Sequence, residues 1–536
     1  MDADAVAALS AATGLSPVTA GILVARGIAD PGAVRRFLTP SLERDWVDDS
    51  AIPGMAEAAA RVARAVSGGE LIVVFGDFDL DGISAAATAA LGLRAMGGRV
   101  EATVPHRFRE GYGLGPASVE RITALGPDLV VTVDCGVSNH TEVAWLLERG
   151  IDVVVTDHHE PGDALPAGVP LADPKLAEDG PQLAGAGVAL ELVRQVGALL
   201  GMPDMWRDLT DLAMLGTVAD IVPLQGPNRA LVADGLARAR SGVRPGVVAL
   251  AEVAGVQIDA VTAEQVAYGL APRLNAAGRM ADPAISLELL LTDDPLRATD
   301  LAHMLDEHNR IRQSVEAELF DVALMQAERA YTPGDRLVLV SGDAWHEGVR
   351  GIVASRLVSR FGVPALVFGV NGDEAQGSGR SVDGVDLHAA VGSFAAMLTR
   401  FGGHAMAVGV TLPAASLPGF TDALSAQLAA LPADAFVSRL TIDAEVPLDA
   451  LSRELAAEFA LLGPFGFGNA RPLLACRGVF MNGRRRVGKA EDHLKFTAYD
   501  GVAEVPAIAF RAPDIERLVA TDGAVDVAFE LDRDEW

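Results

Sequence analysis

Residues 71–84 read LIVVFGDFDLDGIS. An apolar run, Leu71 to Phe75, gives way abruptly to three carboxylates, Asp77, Asp79 and Asp81. The run has the composition of a buried strand, the acids form a tight turn, and the alanine-rich stretch from 83 to 96 reads as a helix. Carboxylates this close repel, and in a low-dielectric setting they are costly unless something positive holds them. Spaced two apart on an extended backbone, Asp79 and Asp81 are expected to point the same way.

The strand–turn–helix unit recurs. DLVVTVDCG (128–136) is a strand ending in Asp134, and IDVVVTDHH (151–159) is a strand ending in Asp157, His158 and His159. A helix over 54–67 precedes the first strand. Strands alternating with helices argue for a parallel α/β sheet. Ligands bind such sheets beyond the carboxyl ends of the strands. Three strands therefore deliver acids or histidines to one rim, and DLAMLGTVADIVPL (211–224) adds an apolar helix ending near Asp220. Oxygen and imidazole donors suit manganese or magnesium and admit zinc. The set is sized for two ions with a carboxylate such as Asp134 between them. A metal pair roughly 3.5–4 Å apart is the usual arrangement for in-line attack on phosphorus. An Asp after a strand is often only a helix cap. Four such features at matching strand or helix ends point instead to a metal centre.

Outward from this centre, residues 296–330 form one long helical pattern. A second α/β unit follows, with strands RLVLVSG and ALVFGV, the loop and helix WHEGVRGIVASRLVSRFG, then GSGRS (377–381) and FGGHAMAVGV (401–410). The glycines fit close backbone approach to a phosphate. From about 436 short strands with Gly and Pro turns indicate a small β domain carrying the basic run RRRVGK (484–489). Residues 1–50 look helical, with turn signals at Asp30-Pro31 and Thr39-Pro40. The expected division is 1–50 helical, 51–295 first α/β domain, 296–330 connecting helix, 331–435 second α/β domain and 436–536 β domain.

With 536 residues the chain is too long for one core. Its net charge of -29 argues, taken alone, against a nucleic-acid partner, but a local basic patch decides that question. Lysine is confined to Lys175, Lys489 and Lys495; the remaining positive charge is arginine, suited to bidentate phosphate contacts. Two distant cysteines, Cys135 and Cys476, make no disulfide framework and fit a reducing cytoplasm. The acidic N-terminus does not read as a signal peptide, and no apolar run is long enough to span a bilayer.

GDFDLDGIS, VTVDCGVSNH, TDHH and LGTVADIVPL, in that order, resemble the first four motifs of the DHH phosphoesterase superfamily. PHRFREGYGL (105–114), LAGAGVALEL (183–192), LAPRLNAAGRM (270–280), WHEGVRGIVASRL (345–357), GSGRS and FGGHAMAVG resemble the RecJ family of bacterial single-strand-specific 5′-to-3′ DNA exonucleases. The resemblance runs from roughly residue 15 to the end. It implies a DHH catalytic domain, a DHH-associated α/β domain and an OB-like β domain. It implies two divalent ions, manganese or magnesium, on Asp79, Asp81, Asp134, His158 and Asp220, with Asp77 a further ligand. Asp157 would orient the neighbouring imidazole, and His159 would contact the scissile phosphate. Arg109, Arg279, Ser378 and Arg380 would clamp the substrate, with His346 and His404 facing the same cleft. RRRVGK would track the DNA backbone, with Phe480 or Phe496 as a stacking surface.

The implied activity is hydrolysis of single-stranded DNA to nucleoside 5′-monophosphates in repair and recombination. A single-strand binding protein and a RecQ-type helicase are implied partners, and a monomer is the default. Phe78 stands where the family usually has Tyr, and Asp173 where Asn is commoner. The chain stops at LDRDEW, short of where the family's β domain typically ends, which implies weaker DNA affinity more than altered chemistry. Two other readings compete: an oligoribonucleotide or small phosphoester hydrolase of the superfamily, and a non-catalytic DNA-binding replisome component. Length and the β domain argue against the first. The intact ligand set argues against the second.

Overall fold

Five short strands, β1 (Leu71–Phe75), β2 (Arg99–Thr103), β3 (Leu129–Val133), β4 (Asp152–Thr156) and β5 (Leu171–Ala172), pair in parallel in the order β2-β1-β3-β4-β5. β1 and β3 are apolar on both faces because helices cover both, as parallel sheets require. The computed structural model describes residues 2–488, 490–512 and 514–532. It resolves into two compact units, one built from Asp48–Asp220 and Gly235–Arg439, the other from the residues up to Val47, Ile221–Asp234 and the residues from Leu440 on.

In the first unit, helix Leu80–Ala95 is almost wholly buried. Its alanines and Gly92 let helix Gly185–Leu199 approach closely: a Cβ on Gly92 would lie 2.6 Å from the Val193 side chain. This helix begins at Leu80, not at 83 as the alanine run suggested. Asp79 is its N-cap, its Oδ1 accepting from the amides of Asp81 (3.0 Å) and Gly82 (3.3 Å). Asp81 therefore lies in the first helical turn, and the expectation that Asp79 and Asp81 share a face of extended backbone fails. Asp30-Pro31 is likewise a helix start rather than a turn, with Asp30 capping helix Pro31–Leu38 and proline in the first turn.

Helix Pro295–Ala330 runs 36 residues. Ala298, Leu301, Ala302 and Leu305 are buried in its first half, and Leu319, Ala323 and Ala327 in its second. The second half packs on the sheet β6 (Val338–Asp343), β7 (Ala365–Asn371), β8 (Glu374–Arg380), β9 (Arg400–His404) and β10 (Ala407–Pro413). The strand order is β6-β7-β8-β10-β9, parallel only between β6 and β7. The helix is thus the strut the pattern indicated.

In the other unit, Leu9, Ile22, Leu23 and Val34 share one core with Val446, Leu455, Phe459 and Leu474. The strands are β11 (Ala444–Glu445), β12 (Leu473–Val487), β13 (His493–Tyr499), β14 (Glu504–Ala509) and β15 (Val525–Glu530). The first part of β12 pairs with β11 and β15, and the remainder with β13, an OB-like arrangement. No single helix among the described residues is long and apolar enough to cross a membrane.

Candidate active site

Each carboxylate of the rim has a distinct local support. Asp77 follows β1; its Oδ1 accepts from the Gly113 amide at 3.0 Å, while Oδ2 is buried without a hydrogen-bond partner. Asp81 accepts from the Gly185 (2.6 Å) and Ala186 (2.9 Å) amides at the N-terminus of helix Gly185–Leu199, where anions are favoured. Asp134 follows β3 with φ +60, a left-handed conformation that Asp tolerates better than most residues. Asp220 is the C-cap of helix Thr210–Ala219.

His158 joins these supports. Its Nε2 lies 3.0 Å from Asp134 Oδ1 and 3.6 Å from Asp81 Oδ2, and its Nδ1 lies 3.8 Å from Asp220 Oδ2. Both His158 Nε2 and Asp134 Oδ1 are buried without a hydrogen bond. Two groups of donor atoms, Asp81–His158–Asp220 and Asp134–His158–His159, each lie within 4.8 Å of one another. Buried, unpartnered donors that converge in this way fit a divalent cation. Asp77 and Asp79 stand outside these two groups but within electrostatic reach, and Asp79 has one oxygen committed to the helix cap.

The electrostatics agree. Burial, then neighbouring carboxylates, push Asp77 and Asp220 up to about 8 and Asp81 to about 7, and hold Asp134 well above the carboxylate range. Burial pulls His158 down to about 4, leaving a neutral ring able to ligate. Asp157 accepts from the Val137 amide (2.9 Å), the His158 amide (2.8 Å) and His159 Nδ1 (2.8 Å). Burial would raise Asp157, but His159, the Val137 amide and His158 together outweigh it and hold the carboxyl below its ordinary value. Burial opposes protonation of His159 as well, yet Asp157 carries it up to about 9.

Basic groups gather beside the second α/β domain, the first of them from residues 51–295. Arg279, in the last turn of helix Ala271–Met280, donates to the Gly348 carbonyl at 3.0 Å. Burial and the neighbouring Arg107 and Arg312 bring it down to about 10. On β8 the GSGR string alternates. Gly377 and Gly379 face inward, where a Cβ would meet the Phe368 ring at 2.5 Å and Val408 at 2.7 Å; Ser378 and Arg380 face the other way. These two glycines serve packing rather than phosphate approach. Gly402 and Gly409 lie in register with Ser378, and a Cβ added at either would meet nothing within 4 Å, which leaves a bare floor beside it. Arg380 pairs through Ala407 with His404 on the same face. His346 caps helix Glu347–Phe361, its Nδ1 accepting from the Gly348 amide, and its ring meets Phe108 edge-on at 5.8 Å.

Arg109 is exposed in the loop after β2. It is Arg107, two residues earlier, whose charge acts on Arg279, Arg380, Arg350 and His346, and whose guanidinium lies 4.8 Å from the Phe78 ring centroid. The PHRFREGYGL string flagged this segment, but which arginine turns inward depends on the loop backbone. Also unforeseen were Tyr112, whose hydroxyl lies 3.1 Å from His159 Nε2, and Asn275, whose Oδ1 accepts from the Leu80 amide. Asp173 follows β5 and caps Lys175, a structural role, with one oxygen buried and unpartnered.

In the unit with the OB-like strands, Arg484 meets Asp522 and Arg486 meets Glu516, while Arg485 faces outward opposite Lys495. Lys489 lies outside the described residues, as do the last four of the LDRDEW terminus. Phe480 is 44% exposed on the outer face. Phe496 packs on the inner cluster around Val479 and Ala498, so it is not a stacking surface.

Family models of the DHH family N-terminal domain, the DHHA1 domain and the RecJ OB domain match residues 71–217, 334–430 and 442–536. The single-stranded-DNA-specific exonuclease RecJ of Bacillus subtilis is 34% identical over 545 residues, spanning 100% of this chain and 68% of its own. That of Dickeya dadantii is 36% identical over 541 residues, 95% of this chain and 92% of its own. The chain belongs to the RecJ family. The crystal structure of Thermus thermophilus RecJ in complex with Mn2+ superposes with TM-score 0.85 at 33% identity, covering 98% of this chain and 75% of that one. The Mg2+ complex of the same RecJ gives TM-score 0.80 at 30% identity, covering 98% and 73%. The metals named for those RecJ structures are among those that the oxygen and imidazole donors here suit.

Proposed function

We infer that this protein is a metal-dependent exodeoxyribonuclease that hydrolyses single-stranded DNA, acting in DNA repair and recombination. The observation that carries the reading is the facing pair of unpartnered atoms, Asp134 Oδ1 and His158 Nε2, set among carboxylates that burial and mutual repulsion keep ready for a cation. Asp81, Asp134, His158 and Asp220, with Asp77 and Asp79, would hold two divalent ions, manganese or magnesium. Bound there, the ions supply activation of the attacking water and neutralisation of charge on the phosphoryl oxygens.

The chain's own groups do the rest. Asp157 fixes the His159 ring, and His159 donates from Nε2 to a non-bridging oxygen of the scissile phosphate. Arg107, Arg279, Arg380 and Ser378 bind phosphates of the strand over the Gly402–Gly409 floor, with Arg109, His346 and His404 along the same cleft. A binding cleft between residues 51–295 and 331–435 would favour a flexible single strand over a stiff duplex. The resemblance supplies the finer reading: 5′-to-3′ polarity, nucleoside 5′-monophosphate products, a monomer in the cytoplasm, and partnership with a single-strand binding protein and a RecQ-type helicase. Arg485, Lys495 and Phe480 suit contact with the strand in the 436–536 domain.

The test is degradation of an end-labelled single strand with Mn2+, against 3′-blocked and duplex substrates and a chelator control. Loss from the 5′ end of single strands only is expected. Activity confined to di- to tetranucleotides would move the protein to the small-substrate branch, and binding without cleavage would make it a non-catalytic DNA-binding protein.

A further inference from the structure

The segment Gly111-Tyr112-Gly113 lies between β2 and helix Pro116–Ala124. Both glycines are left-handed, at φ +87 and +62, a conformation that side chains other than glycine adopt at a cost. The two turns fold the segment back over the carboxyl ends of β1 and β4, where it makes two contacts one residue apart. The Gly113 amide donates to Asp77 Oδ1 at 3.0 Å, and the Tyr112 hydroxyl lies 3.1 Å from His159 Nε2.

The other imidazole nitrogen, Nδ1, is held at 2.8 Å by Asp157, itself fixed by the Val137 and His158 amides. The Tyr112 ring is set edge-on to His159 (6.0 Å between centroids) and to Phe78 (6.1 Å), so neighbours constrain it on two sides. Tyr112 is nevertheless 57% exposed. A tyrosine retained only for bulk would bury its ring; this one turns its hydroxyl to an imidazole at the mouth of the site.

We propose that Tyr112 is a positioning residue for His159, its hydroxyl fixing the Nε2 end of the ring as Asp157 fixes the Nδ1 end. The proposal rests on the reading of His159 as the group that meets the scissile phosphate. Before DNA enters, the hydroxyl occupies the direction in which Nε2 must find a phosphoryl oxygen. When the phosphate arrives, the ring is already turned to it, and the entropy of orienting the imidazole is not lost at that moment. The glycines on either side are then required by function: they set the one backbone geometry that reaches both Asp77 and His159.

The experiment uses the full chain with Mn2+ and a 5′-phosphorylated, end-labelled single strand. Rates are taken in single turnover with enzyme in excess, so that slow variants stay measurable. Tyr112→Phe keeps the ring and removes the hydroxyl. It is expected to lower the rate at saturating enzyme about tenfold, the scale of losing an orienting partner, with the enzyme and Mn2+ concentrations that give half the maximal rate unchanged. His159→Gln is expected to be slower still, and the double variant no slower than His159→Gln. A wild-type rate for Tyr112→Phe overturns the proposal, as does a loss that multiplies in the His159→Gln background. A wild-type rate for His159→Gln would instead overturn the reading of His159, and a loss in Tyr112→Phe alone would then belong to Tyr112 acting directly.

Discussion

Asp134 combines three properties that rarely coincide: a left-handed backbone, full burial and an oxygen with no hydrogen bond. A Cβ on Gly185 would lie 2.5 Å from the Asp134 Cβ, so the neighbouring helix leaves it space without leaving it a donor. Without a cation, burial and then Asp81, Asp79 and Asp77 push its carboxyl well above the ordinary carboxylate range, toward the neutral form. Asp134→Asn removes the charge that this site disfavours and keeps the shape of the side chain. It should abolish Mn2+-dependent hydrolysis while the unfolding temperature in EDTA stays at or above that of the parent protein. Strand degradation and thermal melts read the two effects separately, and retained turnover would remove Asp134 from the proposed metal centre. The acids and histidines of this centre were legible because strands that end in charge are unusual. Gly185 and Gly216 were not, because their contribution is the room they leave for Asp134 and Asp81.

Elements were legible where period and length agreed, as for β1, β3, β4 and the strut helix Pro295–Ala330. Their ends were not, because capping decides them: Asp79 begins its helix three residues before the alanine run does. Composition misled at GSGR, where glycine suggested phosphate approach while β8 uses Gly377 to seat the Phe368 ring. Gly377→Ala should then destabilise by about 1–3 kcal/mol through overpacking, read as a lower unfolding temperature with DNA affinity intact; lost affinity without lost stability would return Gly377 to the substrate face. The loop after β2 is the other lesson. Its two arginines are equivalent in sequence, yet Arg107 joins the charge cluster of Arg279 and Arg380 while Arg109 is exposed. Charge-assisted hydrogen bonds contribute about 1.5–3 kcal/mol. Arg107→Ala should therefore weaken single-strand binding about tenfold or more, and Arg109→Ala several-fold less. Fluorescence anisotropy in the uncleaving Asp134→Asn background measures both, and the reverse order would restore Arg109 as the clamp.

At the scale of the whole molecule, a net charge of -29 coexists with an arginine cluster beside an acidic centre, and the centre ties stability to pH. Asp77, Asp81 and Asp220 have folded values of about 8, 7 and 8 against an ordinary 3.8. Between the ordinary and the folded values the native protein holds protons that the unfolded chain has released, so metal-free stability falls as pH rises through that window. His158, brought down to about 4, acts in the opposite sense, but only below its ordinary 6.5. His159, raised to about 9, adds to the decline above 6.5. From pH 6.5 to 8 these shifts therefore share one sign. In EDTA the unfolding temperature should fall steadily across this interval. Saturating Mn2+ expels the carboxyl protons but not that of His159, so it should reduce the slope, and the Mn2+ concentration giving half-maximal stabilisation should drop as pH rises. Thermal melts from pH 6.5 to 8 with and without Mn2+ measure this. A metal-free protein that grows more stable toward pH 8 would mean that the carboxylates are already ionised and held by something other than a cation.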